Sequence, residues 1–171
     1  IAGAYRLANN QPFTGNYTIM EEFAETQIPL LKDLPLVQKL TASLAFRHAD
    51  YSTSGEADSW KAGAVWQLNG DLRFRVSRSR DIRAPNLNEL FSTGLSTLSS
   101  AVDPRNNVNV SIFSFASGNA SLQPEKARTF SAGMVLEPSF LNRFSLSVDY
   151  YRIALSDAIV QVGANETLQR C

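Results

Sequence analysis

Alternation of apolar and polar residues is the main pattern along this chain. Between Val37 and Tyr51 the even positions carry Leu40, Leu44 and Phe46, and the positions between them are polar or small. A period of two residues is typical of a β-strand with one apolar and one polar face. The same alternation recurs in four later segments: Ser59–Leu68, Asp71–Arg80, Thr129–Leu136 and Phe144–Tyr151. A less regular run, residues 17–28, is predicted to be a strand from its place in the series.

The connections between these segments predict an antiparallel sheet with two unlike ends. Short turns are expected at Pro29–Pro35, Asn69–Asp71 and Glu137–Asn142. Looser connections are expected at Ser52–Asp58 and over the long Ser- and Asn-rich stretch 82–122. Short turns at one end and long loops at the other are typical of outer-membrane β-barrels. A loop as long as 82–122 is expected to be functional, and we expect it on the cell surface.

Composition and charge narrow the class of protein. The 171 residues include 16 basic and 16 acidic ones, and the zero net charge argues against a general nucleic-acid binder. No run of about 18 apolar residues occurs, so no transmembrane helix is expected. The sole cysteine, Cys171, has no partner for an internal disulfide. The first residues show neither a signal-peptide pattern nor an initiator methionine, so a piece of a longer protein is expected.

The sequence contains no recognisable catalytic constellation. His48 is the only histidine, which leaves no histidine-based triad and no multi-histidine metal site. No glycine-rich phosphate loop is present. The sequence therefore predicts a protein that is not an enzyme and that has no catalytic residues, no metal site and no cofactor.

The polar face of the predicted strands mixes charged residues with small ones. A water-filled or plugged barrel lumen tolerates both kinds of side chain. Alternation by itself also fits two other classes, a soluble β-sandwich binding module and a passive porin-type barrel. In a sandwich, apolar residues such as Leu40, Trp66 and Phe74 would be covered by a second layer of the same chain.

Four phrases, in order along the chain, resemble the C-terminal barrel of TonB-dependent outer-membrane receptors. EEFAETQIPLL, at Glu21–Leu31, is similar to that family's acidic-aromatic strand ending in Ile-Pro-Leu. Residues Leu44–Phe91 resemble its two strands, short turn, third strand and Arg-Ala-Pro. ASLQPEKARTFSAGMVLEP, at Ala120–Pro138, resembles the Leu-x-Pro-Glu segment that begins a strand, and LSVDYYRIALSDAI, at Leu146–Ile159, resembles the next strand.

The resemblance implies a fold, a location and a set of partners. The fold class would be all-β, an antiparallel up-and-down transmembrane β-barrel fragment with about six strands of a barrel of about 22. Residues 1–171 would form a partial receptor barrel of the bacterial outer membrane, with the plug domain and the closing C-terminal strands absent. The implied function is energised uptake of a scarce nutrient: siderophore, cobalamin, haem or glycan. The implied partners are outer-membrane lipid, the parent chain's own plug domain, TonB through the missing N-terminal region, and a small-molecule or metal-chelate ligand.

Candidate ligand or plug contacts lie on the predicted lumen face. Arginines there could attract an anionic ligand over a long range, and the alternative is pairing with acids of the plug or of a neighbouring strand. The candidate lumen residues are Arg73, Arg75, Lys39, Arg47, Lys61, Asp149 and Tyr151. Arg83, Ala84 and Pro85 are predicted to mark the exit of a strand into the outer loop, because proline removes a backbone donor and ends ladder pairing.

Overall fold

The computed structural model describes residues 12–141 and 143–170. The first eleven residues and Cys171 lie outside the described residues. The described part forms eight strands and two short helices. The strands are β1 (Ile19–Leu34), β2 (Val37–Tyr51), β3 (Gly55–Gln67), β4 (Leu72–Arg83), β5 (Leu95–Val102), β6 (Asn109–Ala116), β7 (Glu125–Leu136) and β8 (Leu146–Ser156). The helices are α1 (Leu87–Phe91) and α2 (Ala164–Gln169), and neither is long and apolar enough to cross a membrane.

The chain divides into two compact units. The first comprises Thr18–Ala84 and Pro124–Ala158 and consists of one six-stranded antiparallel sheet. The second includes Pro85–Gln123 and residues 159–170. Its strand order is β1-β2-β3-β4-β7-β8, so each strand pairs with the one that precedes it in the chain within this unit. This order confirms the predicted all-β, antiparallel up-and-down architecture.

The first turn is shorter than the sequence pattern predicted. β1 does not end at Ile28 but continues to Leu34, which leaves only Pro35 and Leu36 between β1 and β2. The ladder shifts register between Pro29 and Leu31. A β-bulge at an edge strand accommodates a proline, because the missing N–H then interrupts only the local pairing.

The predicted loose connection at Ser52–Asp58 is wrong. β2 and β3 are joined by three residues, Ser52 to Ser54, and β3 begins at Gly55. The backbone of Gly55 has a φ of 76°, a conformation that glycine adopts without the steric cost of a side chain. The contrast between the two ends of the sheet therefore comes from the connection between β4 and β7, which is 41 residues long.

That long connection is structured, contrary to the expectation of a loose loop. It contains α1 and the hairpin of β5 and β6, which form a separate two-stranded sheet in the second unit. Asn86 and Glu89 make a capping box at α1, with N–H···O distances of 2.9 Å and 2.8 Å. The hydroxyl oxygens of Thr97 and Ser114 lie 2.9 Å apart across the hairpin. Hydrogen bonds within the insertion thus support both its helix and its hairpin.

The six-stranded sheet is a single layer. Trp66 and Leu146, which a sandwich would cover, are 38% and 41% exposed. Every residue of the outer strands β1 and β8 is exposed. The described residues of this unit form no second sheet. The soluble β-sandwich alternative is therefore wrong.

Candidate functional site

The register of the sheet places residues of successive strands in rows. One row runs through Leu40, Trp66, Phe74, Met134 and Val148. We call the face that carries this row the apolar face. The ring centroids of Trp66 and Phe74 lie 5.5 Å apart, a distance at which aromatic rings attract each other. Large apolar side chains thus form a continuous strip across five strands.

The opposite face, which we call the polar face, carries every candidate lumen residue. The register places there Lys39 and Arg47 of β2, Lys61 of β3, Arg73 and Arg75 of β4, and Asp149 and Tyr151 of β8. Small residues occupy the positions between the charges, and the hydroxyls of Ser77 and Ser131 lie 2.9 Å apart. The polar face is therefore a charged surface, and the small side chains between its charges leave space beside the middle of the sheet.

Arg75 and Asp149 form an ion pair that spans an intervening strand. Arg75 Nε donates to Asp149 Oδ1 at 2.8 Å, and Nη2 donates to Oδ2 at 2.5 Å, which makes the pair bidentate. The two residues lie on β4 and β8, and Gly133 of β7 is opposite both. A Cβ at Gly133 would collide with the Asp149 carboxylate. The missing side chain of Gly133 is what allows the pair to form.

The Arg75–Asp149 pair is expected to contribute little to stability. Its side chains are 50% and 41% exposed, and exposed ion pairs contribute about 0.2–1 kcal/mol. A double-mutant cycle with Arg75→Ala and Asp149→Ala, measured by urea unfolding of the full-length parent protein, should give a coupling energy in this range. A clearly larger value would mean that water is excluded from the pair in the whole barrel.

Other arginines of the polar face also have carboxylate partners. Arg47 pairs with Glu21 of the neighbouring strand β1. Arg83 Nε donates to Glu125 Oε2 at 2.5 Å, across the β4–β7 ladder. Acids of neighbouring strands therefore neutralise Arg47, Arg75 and Arg83.

Three basic candidates differ from these arginines. Lys39, Lys61 and Arg73 form no hydrogen bond or ion pair with any residue that the structure describes. Lys39 and Arg73 lie in one row with Gln67 between them, beside the short turns. Their positive charges are thus available to a group outside the described sheet.

The Arg83–Ala84–Pro85 segment lies at the end of a strand. β4 ends at Arg83, and the chain passes from the first unit to the second between Ala84 and Pro85. The capping box of Asn86 follows at once, so a new element begins directly after the proline. Proline at this point prevents the ladder from continuing.

The second unit contains a groove that the sequence patterns did not reveal. Its volume is about 730 Å³, and its lining residues, which come from β5, β6 and residues 161–165, 167 and 168, are all uncharged. Phe113 and Phe115 supply apolar area, and Thr97 supplies a hydroxyl. Asn165 Oδ1 accepts a hydrogen bond from the Val102 N–H at 2.9 Å, which links α2 to β5. Such a lining fits a small neutral ligand better than an ion.

Metal binding finds no support in the described part of the chain. No group of three or more His, Cys, Asp or Glu residues that could hold a metal ion occurs there. His48 Nδ1 lies 2.7 Å from Asp58 Oδ1, and these two residues face each other across the β2–β3 ladder. An isolated pair of this kind is a cross-strand contact of the sheet.

Comparison with known proteins gives a family and a fold. Residues 2–171 match the family described as TonB dependent receptor-like, beta-barrel. The chain is also similar to the crystal structure of the siderophore receptor PirA from Acinetobacter baumannii, with a TM-score of 0.65 and 18% sequence identity. The similarity covers 83% of this chain and 18% of that chain, so the chain spans a minor part of that receptor. No curated protein matches the chain.

Proposed function

Because the chain belongs to the TonB-dependent receptor β-barrel family, we propose that it forms part of the wall of a receptor that takes up a scarce nutrient across the bacterial outer membrane. The observation that supports this most is the single-layer sheet with two chemically distinct faces. A barrel wall needs one face for acyl chains and one for its interior. Both faces of the described sheet are free for those roles within its unit.

Near the short turns, the distribution of charge supports one assignment of the two faces. An arginine or lysine that faces lipid at the bilayer midplane costs about 2–4 kcal/mol. Lys39, Arg73 and Arg75 all lie on the polar face, at rows where the apolar face carries Trp66 and Phe74. The polar face therefore lines the interior, and the apolar face contacts lipid.

Lys39 and Arg73 are proposed contacts of the plug domain. Both lie beside the short turns, which in outer-membrane barrels are on the periplasmic side. Neither has a partner among the described residues, and a plug fills the interior of receptors of this family. Carboxylates of the plug would supply the missing counter-charge. Arg75, which already holds Asp149, is a weaker candidate for such a contact.

The second unit is the proposed ligand-facing part on the cell surface. It includes the long insertion between β4 and β7, and long connections of outer-membrane barrels lie outside the cell. Its uncharged groove offers aromatic rings and hydroxyls to a ligand. Siderophore, cobalamin, haem and glycan are the candidate ligands, and siderophore is tested first because PirA is a siderophore receptor.

A growth experiment tests this function. A strain that lacks the parent gene is expected to grow poorly under limitation of one nutrient: siderophore-bound iron, cobalamin, haem or a glycan. The full-length gene should restore growth, and the same gene in a strain without TonB should not. Uptake that persists without TonB would instead identify a passive porin. Normal growth of the deletion strain under all four limitations would contradict the proposal.

A further inference from the structure

Four arginines project from the apolar face of β4, β7 and β8, and we call them the basic patch. They are Arg78, Arg80, Arg128 and Arg152. None of them forms a hydrogen bond or an ion pair with a described residue, and the buried Nε of Arg80 has no hydrogen-bond partner there. Arg80 and Arg128 are directly opposite each other, and like charges in that arrangement destabilise a strand pair. The described sheet therefore leaves the basic patch without counter-charges.

The position of the basic patch makes contact with acyl chains unfavourable. Arg78 and Arg152 lie near the middle of β4 and β8, where a strand of a barrel wall crosses hydrocarbon. Charged side chains within membrane-spanning segments almost always face protein or water and pair with groups of opposite charge. We therefore expect a protein surface with carboxylates, and not acyl chains, to cover this part of the wall.

The neighbouring strands carry the opposite charge on the same face. Four acids of β1, β2 and β3 form what we call the acidic patch: Glu22, Asp50, Glu56 and Asp58. Asp58 Oδ1 lies 2.7 Å from His48 Nδ1, and the other three acids form no hydrogen bond or ion pair with a described residue. Those three acids are exposed, so their charge is available to a group outside the described sheet.

The two patches lie at the same depth along their strands. We measure depth from the end of the sheet at which β4 passes into the long insertion, and call it the outer end. Glu22 and Asp58 are each three residues from the outer ends of β1 and β3. Arg80 and Arg128 are each three residues from the outer ends of β4 and β7. Because β3 pairs with β4, the patches lie side by side at about the same height on the wall.

We propose that the wall associates with a second copy of itself, with the basic patch of each copy against the acidic patch of the other. This inference rests on the proposed function, in which the apolar face is the outside of the barrel. A two-fold axis perpendicular to the membrane, near the β3–β4 boundary, keeps both copies in one orientation and at one height. Each acidic patch then meets a basic patch of equal depth. Nearer the short turns, the same face carries Tyr150 and Val148 and stays in contact with lipid.

The chemistry of the two patches suits such a contact. Guanidinium groups pair with carboxylates through two parallel N–H···O bonds, and these charge-assisted bonds are among the strongest in proteins. Arginine side chains are also long enough to carry their charge along an apolar surface toward a partner. Arg78 and Arg152 can thus reach outward to the level of Glu22 and Asp58 of the second copy.

The apolar side chains beside the patches are complementary in shape. A depression of about 370 Å³ next to the acidic patch is lined by Leu44, Phe46, Trp60 and Ala62, among others. Phe130 lies within the basic patch and is 41% exposed. Phe46 and Phe130 are each five residues from the outer ends of their strands. The same two-fold axis therefore brings Phe130 of each copy to the depression of the other.

Self-association of the full-length parent protein tests the proposal. Two differently tagged copies are expressed in one strain and extracted in neutral detergent, and the dimer fraction is measured by co-purification and native mass spectrometry. The wild type is expected to form dimers. The basic-patch variant Arg80→Glu, Arg128→Glu and the acidic-patch variant Glu22→Arg, Glu56→Arg should each self-associate roughly 100-fold more weakly, because like charges would meet across the interface.

Combining the two variants restores opposite charges at both contacts. The mixed dimer of the basic-patch variant with the acidic-patch variant should therefore form with nearly wild-type affinity. Failure of the mixed dimer to form would overturn the proposal, as would wild-type self-association by either variant. A monomeric wild type, whether bare or carrying lipid or another protein, would overturn it as well.

A matched control makes the same change of charge on the polar face. The variant Lys61→Glu, Arg73→Glu is expected to dimerise like the wild type. An equal loss in this control would show a response to net charge alone and would contradict the proposal. If a charge-reversed variant does not assemble, the corresponding glutamine variant replaces it, with an expected loss of roughly 30-fold. Wild-type affinity in the glutamine variants would also contradict it.

The outcome is separable from that of the growth experiment. Uptake by a receptor that is monomeric would keep the proposed function and overturn the association. A dimer that obeys the charge exchange, in a protein without uptake, would do the reverse.

Discussion

Replacing Tyr150 with arginine in the full-length parent protein is expected to prevent most of the receptor from assembling in the outer membrane. Tyr150 lies near the middle of β8, with its side chain on the apolar face, and is 60% exposed within its unit. An arginine that faces lipid at the midplane costs about 2–4 kcal/mol, which shifts the equilibrium toward unfolded protein by roughly 30- to 900-fold. The amount of protein in isolated outer membranes and the urea midpoint in lipid vesicles both report this loss.

Tyr151→Arg is the matched control for this substitution. Tyr151 is the next residue on the same strand, with its side chain on the polar face. An arginine there should meet the aqueous interior, so assembly should stay close to that of the wild type. If Tyr150→Arg assembled normally while Tyr151→Arg did not, the lipid and interior faces would be the reverse of those proposed here.

Gly133→Val is expected to destabilise the barrel by about 1–3 kcal/mol, the usual cost of adding volume where there is no space. The first added carbon would collide with the Asp149 carboxylate and would lie 3.0 Å from the backbone oxygen of Val148. Asp149 can move aside only by releasing Arg75. The loss should therefore exceed that from removing the Arg75–Asp149 pair alone, as measured by the urea midpoint of the full-length protein.

Gly70→Val provides the control for Gly133→Val. Gly70 lies in the turn between β3 and β4, and a Cβ added there would meet no atom within 4 Å. Its unfolding free energy should stay within about 0.5 kcal/mol of the wild-type value. Equal effects of the two substitutions would show that the space above Gly133 is unimportant, contrary to the geometry of the ion pair.

Much of the sheet could be predicted because alternation records which side of each strand meets an apolar environment. β2 spans the predicted Val37–Tyr51, and all seven candidate lumen residues share one face. Alternation fixes the face of a residue but not its register, because a shift of two residues leaves the pattern unchanged. The pairing of Arg75 with Asp149, 74 positions apart, therefore needed the structure.

The hairpin of β5 and β6 was not predicted because its composition obscured the pattern of its strands. Serines weaken the alternation in both strands, and the whole segment reads as a polar loop. The turn residues from Asp103 to Asn107 were visible, and Asn107 has the positive φ of 57° that asparagine tolerates. Valine, isoleucine and phenylalanine on both sides of that turn indicate strands.

The arginines that meet on the apolar face were missed for a different reason. The apolar face was traced through its hydrophobic residues, so Arg78 and Arg80 looked like the end of a pattern. Their significance depends on Arg128 and Arg152, which come from distant parts of the chain and meet them only through the register. The bulge near Pro29 was hidden similarly, because proline in a sequence normally ends a predicted strand.

The exposed edges of β1 and β8 constrain how such a wall can enter a bilayer. β1 has 16 residues and β8 has 11, and each has one side without a partner strand in the described sheet. In hydrocarbon each unsatisfied N–H or C=O costs several kcal/mol. Insertion of one hairpin at a time would therefore leave unpaired N–H and C=O groups in hydrocarbon. This free-energy cost disappears only when the barrel closes. The rate of assembly in the membrane should accordingly depend on how long the edges of β1 and β8 stay unpaired and on whether a chaperone covers them.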